Sequence, residues 1–530
     1  VIAGPHASNE EDAVYLTQGL HRALQHHPDR LATIDGDRTR TYERSAQRIA
    51  KLAHALRQLG VNRGDRVGML ALNSDRYHEY LLAVPWADAV LNPINIRWSP
   101  AEIDYALRDS QTDVLFVDDA FSPAVPALRA SYPGLHTVVH CGNGPTPEGM
   151  CSYEELVASG EVIDDVRRSG DQLAGVFYTG GTTGLPKGVM LSHANLMTSV
   201  LGMLSVGSFL SPEGRLLHVA PLFHLADLAA WAGQTTLGGT HVMLSTFDPT
   251  AILETIERQQ VTDALLIPTM LQMVIDHPTV GEYDLSSLQT VMYGASPIPE
   301  AVLSRAMKTM GAARFMQGYG MTELSPLATV LRPEDHDHPE LLRSAGRAAP
   351  CAEVKIFDAD DRELPPGHTG EIVARGGNVM LGYWNKPDET ANALRNGWMH
   401  TGDAGYMDER GYVFLVDRIK DMIISGGENV YSTEVENALC RHPAVSACAV
   451  IGVPDETWGE RVHAVVVLAE GSSVTAEELR VFCKTQIAGY KAPRTVSFVG
   501  ALPLSGAGKV LKRELRERFG GDRPSTVGGR

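Results

Sequence analysis

Helical and strand-like apolar periods alternate between residues 42 and 117 and again between 251 and 310, and nothing else in the sequence restricts the fold as much. Over 42–59, Ile49, Leu52, Ala53, Leu56 and Leu59 recur at helical spacing, and Gly60 stops the run. After the turn at Gly64-Asp65, 67–72 reads as a buried strand. The segment 77–89 reads as a helix, 90–93 as a short strand, 100–109 as a helix and 114–117 as a strand. The order returns as helix 251–259, strand 264–267, helix 269–276, strand 291–293 and helix 299–310. Such alternation implies an α/β fold: parallel strands joined by helical crossovers, with helices on the sheet faces. From about residue 345, short strands at 354–357, 370–375 and 412–416 are broken by Gly, Pro and Asp, which predicts a β-rich subdomain. Beyond 417 the pattern is mixed, with helices at 432–440 and 476–486 and strands at 447–453 and 462–469.

The chain has 530 residues, enough for about three or four domain-sized units without disulfides or structural metals. Its net charge of −18 argues against a general nucleic-acid binder. No apolar run approaches the ~18 residues a membrane helix needs, and the N-terminus has no basic stretch followed by an apolar one. None of the six cysteines forms a CxxC pair, so neither a zinc ribbon nor a thioredoxin-type motif is expected. A reduced, cytoplasmic enzyme is the expectation, with a homodimer left open.

The segment most suggestive of chemistry is Tyr178-Thr-Gly-Gly-Thr-Thr-Gly-Leu-Pro-Lys187. Gly180, Gly181 and Gly184 let backbone N–H groups approach an anion. Thr179, Thr182 and Thr183 add hydroxyl donors, and Lys187 adds a compact positive charge for phosphate. A Gly/Thr turn between strands is the bland alternative, and this loop is dense in donors for one. It is not a Walker A loop, because Pro186 precedes Lys187 and Gly188 follows it, and the Gly508-Lys509 pair is followed by Val510 rather than Ser or Thr.

The segment 178–189 resembles the signature loop of the adenylate-forming superfamily, which comprises acyl-CoA synthetases, luciferases and peptide-synthetase adenylation domains. Further segments resembling its signatures follow in the family's order. They are Pro221-Leu-Phe-His224, Tyr293-Gly-Ala-Ser-Pro297, Gln317-Gly-Tyr-Gly-Met-Thr-Glu323, Thr401-Gly-Asp403, Asp417-Arg-Ile-Lys-Asp421, Gly426-Gly-Glu-Asn-Val-Tyr431 and Gly508-Lys509. The resemblance runs from about residue 20 to about 518. It implies a large N-terminal domain (1–417) of two α/β subdomains plus a β-rich one, a hinge (418–421), a small mobile α+β C-terminal lid (422–520) and a flexible tail (521–530). The implied reaction is activation of a carboxylate with MgATP to acyl-AMP and pyrophosphate, followed by transfer to a thiol, usually that of coenzyme A.

The resemblance also implies roles. Thr179 to Gly184 and Lys187 would hold the β- and γ-phosphates. Tyr319 would stack on adenine, with Gln317 and Gly318 beside it. Thr322 would touch the α-phosphate, and Glu323 would bind Mg²⁺, as a carboxylate suits a hard cation. Gly294, Ala295 and Ser296 would line the adenine and acyl pocket. Asp403 would take both ribose hydroxyls and Arg418 one of them. Lys420 would be the hinge, Gly426 and Gly427 would line the pantetheine path, and Lys509 would bridge carboxylate and ATP phosphates during adenylation. The lid carries eight basic residues between Val481 and Arg518 against Glu514 and Glu517, which suits polyanions. Of these, Lys512 to Arg518 are expected on a solvated helix with paired charges. Gly180, Ala492 and Ala507 depart from the commonest family residues Ser, Leu and Thr.

The acyl pocket is expected to begin at the catalytic-motif His224 and to run through Ala226, Asp227, Leu228 and Trp231. Gly294, Gly318, Met321, Leu324 and Ser325 would form its far wall. Trp231, Leu228 and Met321 suggest an apolar acid, so a medium- or long-chain fatty acid is expected to be preferred. An aryl or arylpropenoic acid and a carrier-protein-loading reaction are the alternatives. Asp227 stays open between a pocket residue, a solvent-facing one and a helical hydrogen bonder. No arginine follows the His224 motif, which argues against a dicarboxylic acid.

Overall fold

The computed structural model describes residues 13–180, 185–207, 209–426, 428–455, 457–504 and 510–520, without the side chains of Lys420 and Asn429. Gly181, Thr182, Thr183, Gly184, Gly427 and Lys509 lie outside the described residues. The protein is a mixed α/β chain, with four sheets among the described residues. Its contacts divide into two compact units. One comprises Val1–Pro297, Arg305–Val354 and Ala374–His400; the other comprises Ile298–Ser304, Lys355–Val373 and Thr401–Arg530. By contacts, residues 401–417 group with the C-terminal residues. The physical reason is the sheet Glu353–Phe357, Gly370–Arg375, Met399–Met407, Val413–Arg418, whose last two strands form an antiparallel pair.

The first unit holds two large sheets. One has eight strands in the order Gly382–Tyr383, Lys187–Ser192, Leu173–Thr179, Val90–Pro93, Arg66–Leu70, Val114–Val117, Thr137–His140 and Cys151–Ser152. The other has nine: Arg347–Ala348, Thr329–Leu331, Arg314–Tyr319, Thr290–Gly294, Asp263–Leu265, Arg215–His218, Thr240–Met243, Leu31–Asp35 and Arg38–Thr41. Their interiors are parallel, as the alternation predicts. Both ends of the nine-stranded sheet and the Gly382–Tyr383 end of the eight-stranded one are antiparallel, whereas Cys151–Ser152 pairs in parallel with Thr137–His140.

Local signals place the helices. Helix Pro100–Asp109 starts with a capping box between Ser99 and Glu102, with Pro100 in its first turn. Its apolar stripe, Ile103 and Leu107, packs on Leu70, Leu115 and Val117 of the sheet and on Leu128. In the second unit, Val435 and Leu439 of helix Ser432–Leu439 and Leu479 of helix Ala476–Gln486 cover Val450, Val462, Ala464 and Val466 of the strands. Among the described residues no helix is long and apolar enough to cross a membrane.

Beside the nine-stranded sheet lies a buried ionic network. Glu79, 0% exposed, accepts from Arg48 Nε at 2.7 Å and Tyr153 Oη at 2.6 Å, and faces Arg40 Nε at 3.1 Å. Asp75 pairs with Arg38 and Arg40, and Glu154 with Arg48 and Arg76. Burial pushes the Glu79 carboxyl above its ordinary range, while the Arg48 guanidinium pulls it back.

The last helix, Lys512–Phe519, corrects the expectation of a wholly solvated surface. Lys512 pairs with Glu436 at 2.8 Å and with the Ser432 hydroxyl, at 15% side-chain exposure. Arg516 pairs with Asp421 at 2.6 Å. Arg513, Glu514, Glu517 and Arg518 face outward. Asp417 in turn accepts from the Ser432 hydroxyl at 2.6 Å, so the segment leading into 418–421 is fastened to helix Ser432–Leu439.

Candidate active site

In the first unit the site residues gather at the ends of two parallel strands. Thr290–Gly294 pairs with Arg314–Tyr319, and Gly294 stands opposite Gly318. A Cβ on Gly294 would lie 2.2 Å from the Gly318 carbonyl oxygen, so only glycine allows this approach. Ala295 then takes a positive φ of 63° and leaves Ser296 half-buried. After Tyr319 the chain turns through Thr322–Leu324, a single 3₁₀ turn, to Ser325 at φ 60°. Gln317 is buried, and Tyr319, Met321 and Thr322 remain partly exposed. The turn is held by Asn378, which donates to the carbonyls of Leu324 and Leu327 and accepts from the Ser325 hydroxyl.

Glu323 is 6% exposed and accepts a hydrogen bond from Tyr383 Oη at 2.8 Å. Tyr383 belongs to the two-residue strand Gly382–Tyr383, which pairs with Lys187–Ser192. The Lys187 ammonium sits 5.0 Å from the Tyr383 ring centroid, a cation–π distance. Thr179 and Lys187 are register partners closing the base of the hairpin whose tip, 181–184, is outside the described residues. Gly180 is exposed beside them. Tyr178 donates to Asp109 at 2.6 Å, and Trp384 Nε1 donates to the Asp109 carbonyl at 2.8 Å, which anchors both sides of this hairpin to helix Pro100–Asp109. Sequence reasoning missed Tyr383 and Trp384. The signal available was an aromatic pair after a glycine, Gly382-Tyr-Trp.

His224 precedes helix Leu225–Leu237, is partly exposed, and packs on Phe223 with ring centroids 4.3 Å apart. Of the residues expected to line the pocket on this helix, Asp227, Leu228 and Trp231 are buried, each 0% exposed and facing the interior of the unit. Asp227 Oδ2 lies 3.0 Å from His218 Nδ1, His218 Nε2 lies 2.9 Å from His241 Nδ1, and His241 Nε2 lies 3.1 Å from the Thr235 hydroxyl. Trp231 Nε1 donates to His78 Nδ1 at 2.9 Å. Burial holds His241 well below its ordinary pKa and His78 down to about 3, while it pushes the Asp227 carboxyl up. These groups form a buried polar cluster, and Leu324 and Ser325 are also 0% exposed. Ala226, Gly294, Gly318 and Met321 keep access.

The second unit carries Asp403 and Arg418 as register partners on Met399–Met407 and Val413–Arg418, with Arg418 Nε 3.1 Å from Asp403 Oδ1. Gly402, at φ 72°, donates its N–H to Glu371, and the Thr401 hydroxyl accepts from Asp403 N–H at 3.1 Å. This fixes the Asp403 backbone in mid-strand, opposite Arg418, with 10% side-chain exposure. Gly426 has φ 64°, and a Cβ there would lie 2.8 Å from the Trp458 ring, so glycine is required locally for both conformation and space. Lys420 lies in the single turn Ile419–Asp421. The described residues hold no group of three or more His, Cys, Asp or Glu able to cage a metal ion. A lone buried carboxylate at Glu323 suits a hard cation that brings its other oxygen ligands with it, from phosphate and water.

The family model for AMP-binding enzymes matches residues 20–384, and that for the AMP-binding enzyme C-terminal domain matches 434–509. A feruloyl-CoA synthase of Amycolatopsis sp is 43% identical over 93% of this chain and 96% of its own length. The fatty acid–[acyl-carrier-protein] ligase ScoC of Streptomyces coeruleorubidus is 39% identical over 97% and 98%. Among solved structures, ATP-bound MatB from Rhodopseudomonas palustris matches with a TM-score of 0.87 at 30% identity, over 96% of this chain and 99% of that one.

Proposed function

The chain belongs to the family of AMP-binding enzymes, within the adenylate-forming superfamily, and from that premise we propose that the acid it activates is an arylpropenoic acid of the ferulic type. The protein is an AMP-forming acid–thiol ligase that uses ATP and coenzyme A with a small carboxylic acid. A carboxylate oxygen attacks the α-phosphorus of ATP, pyrophosphate leaves, and an acyl-adenylate forms. The thiol sulfur of coenzyme A then attacks the acyl carbon, and AMP leaves with the electron pair of the broken C–O bond.

The residue roles follow the signature positions. Lys187, with the loop Thr179 to Gly184, neutralises the β- and γ-phosphates. Tyr319 stacks on adenine, with Gln317, Gly294, Ala295 and Ser296 around it, and Thr322 donates to the α-phosphate. Asp403 accepts from the ribose hydroxyls with Arg418 beside it. Glu323 is the protein ligand of Mg²⁺, which would draw charge off the phosphate oxygens when bound. His224, Gly318 and Met321 border the acid. Lys420 is the pivot, Lys509 serves adenylation, and Gly426 and Gly427 serve the thiol step, with 1–417 as adenylation domain and 422–520 as lid.

The observation that carries the arylpropenoate reading is the 43% identity to a feruloyl-CoA synthase over nearly the whole of both chains. A medium- or long-chain fatty acid is the second reading, supported by the 39% identity to ScoC. Steady-state release of coenzyme A-dependent AMP with ferulate, 4-hydroxycinnamate, octanoate, palmitate and acetate separates them. The expected kcat/KM for the hydroxycinnamates exceeds that for octanoate by about 10-fold or more, the scale on which an apolar pocket discriminates. Octanoate or palmitate ahead of both hydroxycinnamates would replace the first reading with the second.

A further inference from the structure

We propose that Tyr383 is a positioning residue for ATP activation, holding the Glu323 carboxylate in the orientation in which it serves the metal–nucleotide complex. The inference rests on the reading of Glu323 given above. The phenol donates to Glu323 Oε1 at 2.8 Å, and both side chains are almost fully buried, at 8% and 6% exposure. A buried hydroxyl needs a partner, and this one is spent on a group 60 residues away in sequence.

The backbone carrying Tyr383 is fixed on every side. Tyr383 N–H donates to the Thr390 hydroxyl at 2.9 Å, and Trp384 N–H donates to the Gly188 carbonyl at 2.7 Å. Met380 N–H donates to the carbonyl of Glu323 itself at 2.9 Å. The segment 380–384 therefore touches both the strand that begins at Lys187 and the turn that carries Glu323.

The chemistry of the donor matters as much as its place. A phenol, with an ordinary pKa of about 10, is a neutral O–H donor at neutral pH. A neutral donor orients a carboxylate without cancelling its charge; a lysine or arginine at the same place would neutralise the anion that a cation needs. Lys187 is placed over the face of the same ring, 5.0 Å from its centroid. One side chain thus sets two charged groups of opposite sign: its edge hydroxyl orients the anion and its π face seats the cation. A hydrogen bond behind a metal-binding carboxylate restricts its rotation, and loss of such a partner costs about 10–100-fold in metal affinity or activity.

Tyr383→Phe keeps the ring, and with it the seat for Lys187, and removes only the hydroxyl. Two readouts test it on the full chain. The first is the thermal shift on adding ATP with EDTA and then ATP with Mg²⁺. The second is the Mg²⁺ concentration that half-saturates acyl-AMP formation. In the variant the shift with ATP and EDTA should match the parent, the further shift on adding Mg²⁺ should shrink, and half-saturating Mg²⁺ should rise about 10-fold or more. In a Glu323→Gln background the same substitution should add no further loss, because the two residues act through one contact. A folded Tyr383→Phe enzyme with the parent's Mg²⁺ dependence, or full additivity with Glu323→Gln, would overturn the inference. A parent protein with no Mg²⁺-dependent increment in its ATP shift would instead overturn the reading of Glu323.

Discussion

Lys509→Ala should lose acyl-AMP formation by about 10²–10³-fold, the scale for removing one charge donor aimed at a transition state. Given preformed acyl-AMP and coenzyme A, the same variant should make the thioester at close to the parent rate. The reason is that the two half-reactions need different surroundings. In the first, two anions meet, the carboxylate and the α-phosphate, and negative charge builds on the phosphoryl oxygens. An ammonium there lowers the barrier directly. In the second, the attacking sulfur reaches an acyl carbon with no new phosphoryl charge, and the lysine has nothing to stabilise. Pyrophosphate exchange measures the first step and thioester formation from synthetic acyl-AMP the second. Equal losses in both would contradict this division of labour.

Glu79→Ala should lower the stability of the first unit by about 3–5 kcal/mol, the usual cost of removing one partner from a buried ion pair. Glu79 is the fully buried centre of the Arg40–Arg48–Tyr153 cluster, and its loss leaves the Arg48 guanidinium at 9% side-chain exposure with only the half-exposed Glu154. Urea titration followed by tryptophan fluorescence reads the change as a lower midpoint. A midpoint shift worth less than about 1 kcal/mol, the range of an exposed pair, would mean that water reaches this network.

That network also shows where the sequence stops being informative. Helix Pro100–Asp109 was legible to the residue, because its cap, its proline and its apolar stripe all lie within ten positions. The strand pair Leu31–Asp35 and Arg38–Thr41 was not. Arg38 and Arg40 alternate with threonine rather than with apolar residues, and their partners Asp75 and Glu79 lie on a distant helix. The interior parallel strands were visible as apolar runs.

The site divides in the same way. Gly294, Gly318, Tyr319, Glu323, Lys187, Asp403 and Arg418 could be proposed from the sequence because each sits in a short contiguous motif. The inward face of helix Leu225–Leu237 was not, because periodicity gives a helix's apolar stripe but not which polar residue within it is covered. Asp227 is inside because His218, itself paired with His241 of a neighbouring strand, receives it. Tyr383 escaped notice for a related reason: its only printed mark is an aromatic after a glycine, and its meaning comes from Glu323, brought beside it by the fold.

The central claim, ligation through an acyl-adenylate, is tested most directly by the path of an oxygen atom. A carboxylic acid substrate labelled with ¹⁸O in both carboxylate oxygens is turned over with ATP and coenzyme A, and the products are weighed by mass spectrometry. Attack of the carboxylate on the α-phosphorus, followed by cleavage of the acyl C–O bond, leaves one ¹⁸O in each AMP, one in the thioester carbonyl and none in pyrophosphate. Label recovered in orthophosphate, with ADP as the nucleotide product, would contradict the account.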